Sequence, residues 1–469
     1  MLDRLRGKQV HFIGVGGIGM SALAHLLLDA GIAVSGSDLK ASRLTDQLAT
    51  RGMAFSEGQA ATNITAAPPD LVVITAALRP DNPELLAAEA AGIPIIKRAA
   101  LLGEVMSEGK GIAVAGTHGK TTTSAMIAYA LTRCAADPTY LVGGIVQGLG
   151  TNGHLGRGEY VVAEADEYDG SFLQLRPTVS VITNIEADHL DFYGSMDNIR
   201  QTFSRYASNT QPGGTLLLCA DDAEAGALLA ILRASEQPYA IASYGLGAGL
   251  DWQVVEQGSN NRGGSNFALW RGAEKLGEFV LSLPGRHNLL NATAAVAACA
   301  IAGVDAAQAA TALADFSGAE RRFQVKGETN SGAVVVDDYG HHPTEIAATL
   351  QAARQRYPDR RIIILFQPHT YSRTKSLLPE FAAAFGEATL VYISDIYAAR
   401  EAHDPSVHAR QIVTTSDHPA MQYIGSLAEA TVELRRILQP GDVLLTVGAG
   451  DVGQVGEELL QASLCRYAN

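Results

Sequence analysis

The sequence predicts an α/β protein of three domains. Three observations carry that reading. Short apolar runs alternate with helical patterns along most of the 469 residues, glycine-rich turns stand between strand and helix at three places, and the length suits about three domains. A hydrophobic fraction of 47% supplies large cores, and 48 glycines with few aromatics fit an alanine-rich chain with many tight turns.

The first domain opens on the strand Val10-His11-Phe12-Ile13, then Gly14-Val15-Gly16-Gly17-Ile18-Gly19, then a helical pattern over residues 20–30. This G-x-G-x-x-G lies between strand and helix, where backbone N–H groups face a phosphate. Asp38, in Ser35-Gly36-Ser37-Asp38, ends the next strand, 19 residues after Gly19, the place of a ribose-binding acid in a dinucleotide fold. Residues 70–75 read as a buried strand, 93–96 as a short one and 107–111 as a linker. The charged start followed by apolar residues is no signal peptide, because Gly14, Gly16, Gly17 and Gly19 interrupt the apolar part. No uninterrupted apolar run reaches membrane-spanning length.

The middle of the chain begins with Gly116-Thr117-His118-Gly119-Lys120-Thr121-Thr122-Thr123, between an apolar run at 112–115 and a helical pattern at 124–133. Such a turn cradles nucleotide phosphates with its N–H groups, while the lysine neutralises charge and a hydroxyl holds Mg²⁺. Val114 stands where the usual first glycine would be, so this is a variant P-loop. Strands are expected at 160–163, 179–182, 214–219 and 239–243, a small antiparallel insertion between 245 and 283, and a helix at 287–302. The strand at 160–163 delivers Glu164, Asp166, Glu167 and Asp169, which read either as a source of Mg²⁺ ligands or as a solvated acidic loop. His189, in Asn184-Ile185-Glu186-Ala187-Asp188-His189, reads as a ligand or as a structural histidine. Asn288 and Asn291 share a helix face and either cap the helix or hydrogen-bond a nucleotide.

The last region alternates again, with strands at 333–336, 362–366, 389–393 and 443–447 and a helix at 344–355. Asp337-Asp338-Tyr339-Gly340-His341-His342-Pro343 concentrates two acids, a tyrosine and two histidines in one short loop, more than folding alone requires. Gln367-Pro368-His369-Thr370-Tyr371-Ser372-Arg373 ends the next strand in the same way. The region closes with Gly448-Ala449-Gly450-Asp451-Val452-Gly453 and a final helix. A second G-x-G-x-x-G in one chain shows how weak the motif is alone. Its plain reading is a tight turn packing helix on sheet. In full, the expectation is a Rossmann-like N-terminal domain, a P-loop ATPase-type central domain with the antiparallel insertion, and a Rossmann-like C-terminal domain.

The net charge of −14 argues against a nucleic-acid partner but not against a small phosphorylated ligand, for which one local cluster suffices. Cys134, Cys219, Cys299 and Cys465 are far apart in apolar segments and read as buried free thiols of a cytoplasmic protein.

Taken together and in order, these motifs resemble the Mur ligases of bacterial peptidoglycan synthesis over essentially the whole chain. Pro284-Gly285-Arg286-His287-Asn288-Leu289-Leu290-Asn291 and Arg321-Arg322-Phe323 belong to the same set. The resemblance implies a UDP-sugar-binding domain over 1–106, an ATP-binding domain over 107–316 and a closing, amino-acid-binding domain over 317–469. It implies UDP-sugar contacts from Gly16, Gly17, Ile18, Gly19, Ser37 and Asp38. The ATP contacts would come from Gly116, Thr117, His118, Gly119, Lys120, Thr121, Thr122, Asn288, Asn291, Arg322 and Asp338. Thr121, Glu164 and His189 would hold Mg²⁺, with Lys120, Glu164 and His189 as the catalytic set. Tyr339, His341, His369 and Arg373 would take the amino acid. Other branches carry a carbamylated lysine shortly after the histidine matching His189, whereas here no lysine occurs between Lys120 and Lys275. That points to the alanine-adding branch, which joins L-alanine to UDP-N-acetylmuramate with ATP, as a monomer or homodimer without nucleic-acid or membrane partners. Thr370 stands where relatives of that branch can have arginine, which leaves Arg373 as the main candidate for the alanine carboxylate. Two further readings are a tripeptide-recycling ligase of the same family and an NAD-dependent oxidoreductase, which leaves the P-loop unexplained. A nucleotide-gated binding module without chemistry is a third.

Overall fold

The computed structural model describes residues 1–76, 78–399 and 401–464. Cys465 lies outside them. The chain divides into two compact units, one of Met1–Val255, Ala268–Phe279 and Leu290–Phe316, the other of Glu256–Phe267, Val280–Leu289 and the chain from Ser317 onward.

In the first unit, β1 (Gln9–Ile13), β2 (Ala33–Asp38), β3 (Ala54–Glu57), β4 (Leu71–Ile74) and β5 (Ile95–Lys97) form a sheet in the order β3-β2-β1-β4-β5. Every pairing in it is parallel. The order reverses direction beside β1, so the crevice opens where Gly14 leaves that strand. The helix Ile18–Asp29 packs Leu23, Leu26 and Leu27 into the core. Its first turns also meet the segment 152–153: a Cβ on Gly153 would stand 2.3 Å from the Ala22 carbonyl oxygen, so only glycine fits there. Asn152, fully buried, donates from Nδ2 to the Ile18 carbonyl at 2.7 Å and to Ser21 Oγ at 3.0 Å.

The second sheet contains β6 (Lys110–Ala115), β7 (Thr139–Leu141), β8 (Gly153–His154), β9 (Tyr160–Glu164), β10 (Val179–Ile182), β11 (Thr215–Cys219), β12 (Ala240–Gly245), β13 (Trp252–Ser259), β14 (Ser265–Arg271) and β15 (Glu274–Leu281). Its order is β15-β14-β13-β12-β11-β10-β6-β9-β7-β8. β6 therefore lies between β10 and β9, with Val114 opposite both Val181 and Glu164. This register sets the C-terminal ends of three strands side by side. The expected insertion is β13 to β15, and the two-residue connection from Arg271 to Glu274 makes its last pair a hairpin. Residues 143–152 between β7 and β8 fold back on themselves through Val142 N–H to Asn152 O at 2.8 Å and Val146 N–H to Thr151 O at 3.1 Å. The expected linker is shorter than the sequence suggested. Lys110 and Gly111 already belong to β6, because a parallel neighbour, β9, pairs with both.

In the second unit, β16 (Gln324–Glu328), β17 (Val334–Asp338), β18 (Ile362–Phe366), β19 (Leu390–Ser394), β20 (Met421–Gly425) and β21 (Val443–Val447) take the order β16-β17-β21-β18-β19-β20. Only β16 runs antiparallel to its neighbour. β18 is buried along its whole length and feeds two cores: Ile362, Ile364 and Phe366 enter one, Ile363 and Leu365 the other. That is why it reads as an unbroken apolar run. Asp338, Phe366 and Val447 end adjacent strands at one edge of this sheet.

Cys219 and Cys299 are buried free thiols, whereas Cys134 is only half-buried, at the end of the helix Lys120–Arg133. Among the described residues, no helix is long and apolar enough to cross a membrane.

Candidate active site

Gly116 leaves β6 at φ 136°, and a Cβ there would stand 1.9 Å from Thr183 Oγ1. Gly119 precedes the helix Lys120–Arg133 at φ 81°, with Asn291 Oδ1 2.6 Å from where its Cβ would be. Both positions need glycine, for conformation and for space. Val114 does not, because it is a regular, fully buried β6 residue, and the loop begins only after Ala115. The loop is braced by the exit of β10. Thr117 N–H donates to the Asn184 carbonyl at 3.1 Å, His118 N–H to Asn184 Oδ1 at 2.8 Å, and Glu186 N–H to Thr117 Oγ1 at 2.8 Å. Thr183 Oγ1 donates to the His118 carbonyl at 2.6 Å. The sequence reading included Asn184 and Glu186 only as motif letters and missed Thr183. Their position right after a strand flanking the loop was the available signal.

Lys120 reaches back over this loop. Its Nζ donates to the carbonyls of Gly116 at 2.7 Å and Thr117 at 2.9 Å and pairs with Glu167 at 2.7 Å. Burial alone pulls the ammonium down, but the carboxylates of Glu167, Glu164 and Asp166 outweigh it and hold its pKa above that of a free lysine. Burial pushes the Glu167 carboxyl up to about 7, against the pull of Lys120.

The four acids at and just beyond the end of β9 have separate partners. Glu164 Oε2 accepts from Thr121 Oγ1 at 2.9 Å and from Gly143 N–H at 2.9 Å. Asp166 meets Arg98 at 3.1 Å, Glu167 takes Lys120, and Asp169 accepts from Ser171 within its own turn. The acidic cluster is thus not one solvated loop. His189, at φ 53°, starts the short helix Leu190–Tyr193, with Nε2 3.9 Å from Glu167 and its ring edge-on to Tyr168 at 5.0 Å. Lys120, Glu167 and His189 are thereby brought together, next to the Thr121–Glu164 pair.

In the first sheet, Gly16 N–H donates to Asp38 Oδ2 at 2.8 Å, and Leu39 N–H to Asp38 Oδ1 at 2.7 Å. Asp38 therefore ties the end of β2 to the glycine loop. Ser37 is fully buried and donates to Glu84 at 2.6 Å, while its carbonyl accepts from Gly14 and Val15. Gly19 lies under Arg98, whose Nη1 is 2.9 Å from where a Cβ would be. Arg98 escaped the sequence reading because its own segment carries no recognisable spacing. Asn288 donates from Nδ2 to the Pro284 carbonyl at 2.7 Å, a bond to the chain ahead of the helix Arg286–Ile301. Burial holds the neighbouring His287 neutral, its pKa pulled down to about 4.

In the second unit, Asp338 is buried and accepts from Gly340 N–H and Phe323 N–H, both at 2.7 Å. Burial pushes its carboxyl up to about 6, and the Arg322 guanidinium opposes that shift. Arg322 lies over the Tyr339 ring at 5.2 Å and 3.8 Å from Glu345. Arg321, given no role beyond its place in Arg321-Arg322-Phe323, binds Asp337 at 3.0 Å and the carbonyls of Gly448 at 2.7 Å and Gly450 at 3.0 Å. The second glycine motif is thus the tight structural turn of the plain reading. Tyr339, His341 and His369 form a run of edge-on rings at 5.5 and 5.6 Å, and Arg373 Nη1 lies 3.1 Å from His369 Nδ1. Arg321, Phe323 and Thr370 all have positive φ, so strained backbone concentrates around these side chains.

Three family models match the chain: the Mur ligase family catalytic domain over residues 9–110, the Mur ligase middle domain over 114–299, and the Mur ligase glutamate ligase domain over 321–450. A UDP-N-acetylmuramate–L-alanine ligase of Rubrobacter xylanophilus is 46% identical over 458 residues, 96% of this chain and 99% of that one. The ligase of the same name from Geobacter sp. (strain M21) is 44% identical over 97% of both chains. Among solved structures, the UDP-N-acetylmuramate–alanine ligase of Thermotoga maritima aligns with a TM-score of 0.82 at 29% identity, covering 98% of this chain and all of that one. A murein peptide ligase of Psychrobacter arcticus gives 0.74 at 25% identity, over 97% of this chain and 98% of that one.

Proposed function

The chain belongs to the Mur ligase family, and from that premise we propose that it joins L-alanine to the carboxylate of UDP-N-acetylmuramate, converting ATP to ADP and phosphate, in the cytoplasm. One observation supports this best. The Thr121–Glu164 pair stands beside Lys120 at the end of β6, in a chain whose relatives are alanine ligases over nearly its full length. The tripeptide-recycling alternative is less favoured, since the relatives that are 44–46% identical over nearly the whole chain carry the name of the alanine ligase.

A carboxylate is a poor acyl donor. Its oxygen attacks the γ-phosphorus of ATP, ADP leaves, and the acyl phosphate carries a good leaving group. The amine of alanine then attacks the carbonyl carbon, loses a proton, and phosphate departs. The ATP side would be carried by the loop from Gly116 to Thr122, with Asn288 and Asn291 at the adenine and Arg322 and Asp338 at the phosphates and ribose. Lys120 exchanges Glu167 for the β- and γ-phosphates and follows the charge through phosphoryl transfer. Thr121 and Glu164 would present hard oxygens of the kind Mg²⁺ prefers, and His189 would offer a nitrogen for a second ion. When bound, Mg²⁺ would neutralise phosphate charge. The loop of Gly16, Gly17, Ile18 and Gly19 with Asp38 would hold the UDP diphosphate, and buried Ser37 braces that loop from below. Tyr339, His341, His369 and Arg373 would receive alanine. The domain limits proposed with this reading are 1–106, 107–316 and 317–469.

Phosphate release should require ATP, Mg²⁺, UDP-N-acetylmuramate and L-alanine together. Equal turnover without the sugar nucleotide would refute the proposal, and preference for the free peptide of a muramyl tripeptide over alanine would favour the recycling alternative. A second prediction concerns Gly143. A Cβ there would stand 2.1 Å from Glu164 Oε2 and 2.9 Å from Thr121 Oγ1. Gly143→Ala should therefore spread the pair and raise the Mg²⁺ concentration for half-maximal rate about tenfold, the usual loss when the groups orienting a metal ligand are disturbed. A Mg²⁺ titration matching the wild type would contradict that.

A further inference from the structure

The segment that carries His369 and Arg373 is held in an unfavourable backbone conformation. Thr370 has φ 66° and ψ 147°, a region that residues other than glycine rarely enter. Such a conformation persists only where its surroundings impose it, and here the loop after β19 does so through Tyr397 and Glu401. Tyr397 N–H donates to the Pro368 carbonyl at 2.8 Å, and Thr370 N–H donates to the Tyr397 carbonyl at 2.9 Å, so the two chains form a short parallel bridge. The Tyr397 ring stacks on the His369 imidazole with centroids 5.8 Å apart and planes 16° apart. A Cβ at Gly450 would stand 2.6 Å from the Tyr397 ring. At the end of the loop, the Glu401 carboxylate receives Tyr371 N–H at 2.6 Å and Ser372 N–H at 3.0 Å, together with the Ser372 hydroxyl. These are the first residues of the helix Tyr371–Ser376, which carries Arg373. The loop is itself anchored by Asp395 N–H to the Gly425 carbonyl at 2.8 Å, at the end of β20.

We infer that Glu401 and Tyr397 are positioning residues for the amino-acid subsite: Glu401 sets the direction of Arg373, and Tyr397 sets the plane of His369. This rests on the reading of Arg373 and His369 as that subsite. Glu401 satisfies the two amides that would otherwise point at solvent, so the first helical turn has one orientation and the guanidinium leaves it along one line. A carboxylate needs both donors of an arginine aligned, so a small rotation of this turn weakens the capture of alanine and leaves the phosphate chemistry alone.

The test is steady-state kinetics of Glu401→Ala and Glu401→Gln, with each substrate varied in turn and unfolding followed by calorimetry. Glu401→Ala should raise the KM for L-alanine about tenfold, with kcat and the KM for ATP within about twofold, as for loss of a charged hydrogen bond felt at one remove. Glu401→Gln, which keeps a carbonyl oxygen for the two amides, should recover most of that loss. Should the alanine variant fail to unfold cooperatively, Tyr397→Leu is read in its place, with the same expected rise in KM. An unchanged KM for alanine in folded Glu401→Ala, or a fall in kcat with every KM unchanged, overturns the inference. Arg373→Lys is measured alongside. If it raises the KM for alanine while Glu401→Ala does not, the positioning role fails alone; if neither does, the subsite assignment fails and this inference with it.

Discussion

Lys120→Ala should give a folded protein whose ligation rate is lower by about three orders of magnitude or more, the size of effect seen when a charge-matched contact to a transferred phosphoryl group is removed. The side chain is held by two carbonyls of the loop after β6 and by Glu167, just after β9, so its ammonium already stands where the phosphates would arrive. Loss of the lysine leaves Glu167 buried without its cation. Burial already pushes that carboxyl up to about 7, so it takes a proton rather than remaining charged, and the fold survives. Calorimetry shows whether the variant is folded, and phosphate release measures the chemistry. Near-normal turnover in a folded variant would mean that this loop is not the phosphate cradle.

Arg373→Lys should raise the KM for L-alanine about thirtyfold and leave the KM for ATP nearly unchanged. The figure corresponds to roughly 2 kcal/mol, the worth of a charged hydrogen bond lost from a partly buried site. A guanidinium offers a carboxylate two parallel donors in a fixed plane, and an ammonium cannot reproduce that geometry. Arg373 lies beside His369, at the end of the run of rings that begins at Tyr339. Kinetics with each substrate varied in turn decide the matter. A defect confined to ATP would place Arg373 in the nucleotide site.

Much of this was legible in the sequence because the informative residues are local. A strand, a glycine turn and Lys120-Thr121 lie within a dozen positions, and Asp338, Tyr339 and His341 follow one strand end. What escaped was settled by register. Glu164 and Glu167 look alike in a row of acids, and only the pairing of β6 with β9 directs one to Thr121 and the other to Lys120. Arg321 and Arg322 are neighbours of one type and both lie over the Tyr339 ring, yet Arg321, at positive φ, binds the carbonyls of Gly448 and Gly450 while Arg322 faces Glu345. The amphipathic helices Met196–Ala207 and Leu427–Ile437 were passed over, since they carry no motif and only a surface pattern. The second glycine motif carried a motif but proved to be a turn. Spacing reports a backbone shape, and the shape has more than one use.

The segment between β7 and β8 also says where this chain can be lengthened. Connections usually absorb added residues, and this one can do so at its tip, between Gln147 and Gly150, a short turn that Leu149 and Gly150 N–H close onto the Val146 carbonyl. Its two feet are another matter. Gly143 holds Glu164, 21 positions along the chain, and Asn152 holds Ile18, 134 positions back. An extra residue beside Asn152 would also turn β8 over, because in a strand a shift of one exchanges the faces. A peptide tag or a new chain end grafted at the tip should thus be borne without loss, whereas a single residue added at either foot should disturb the metal pair or the first turn of the helix Ile18–Asp29.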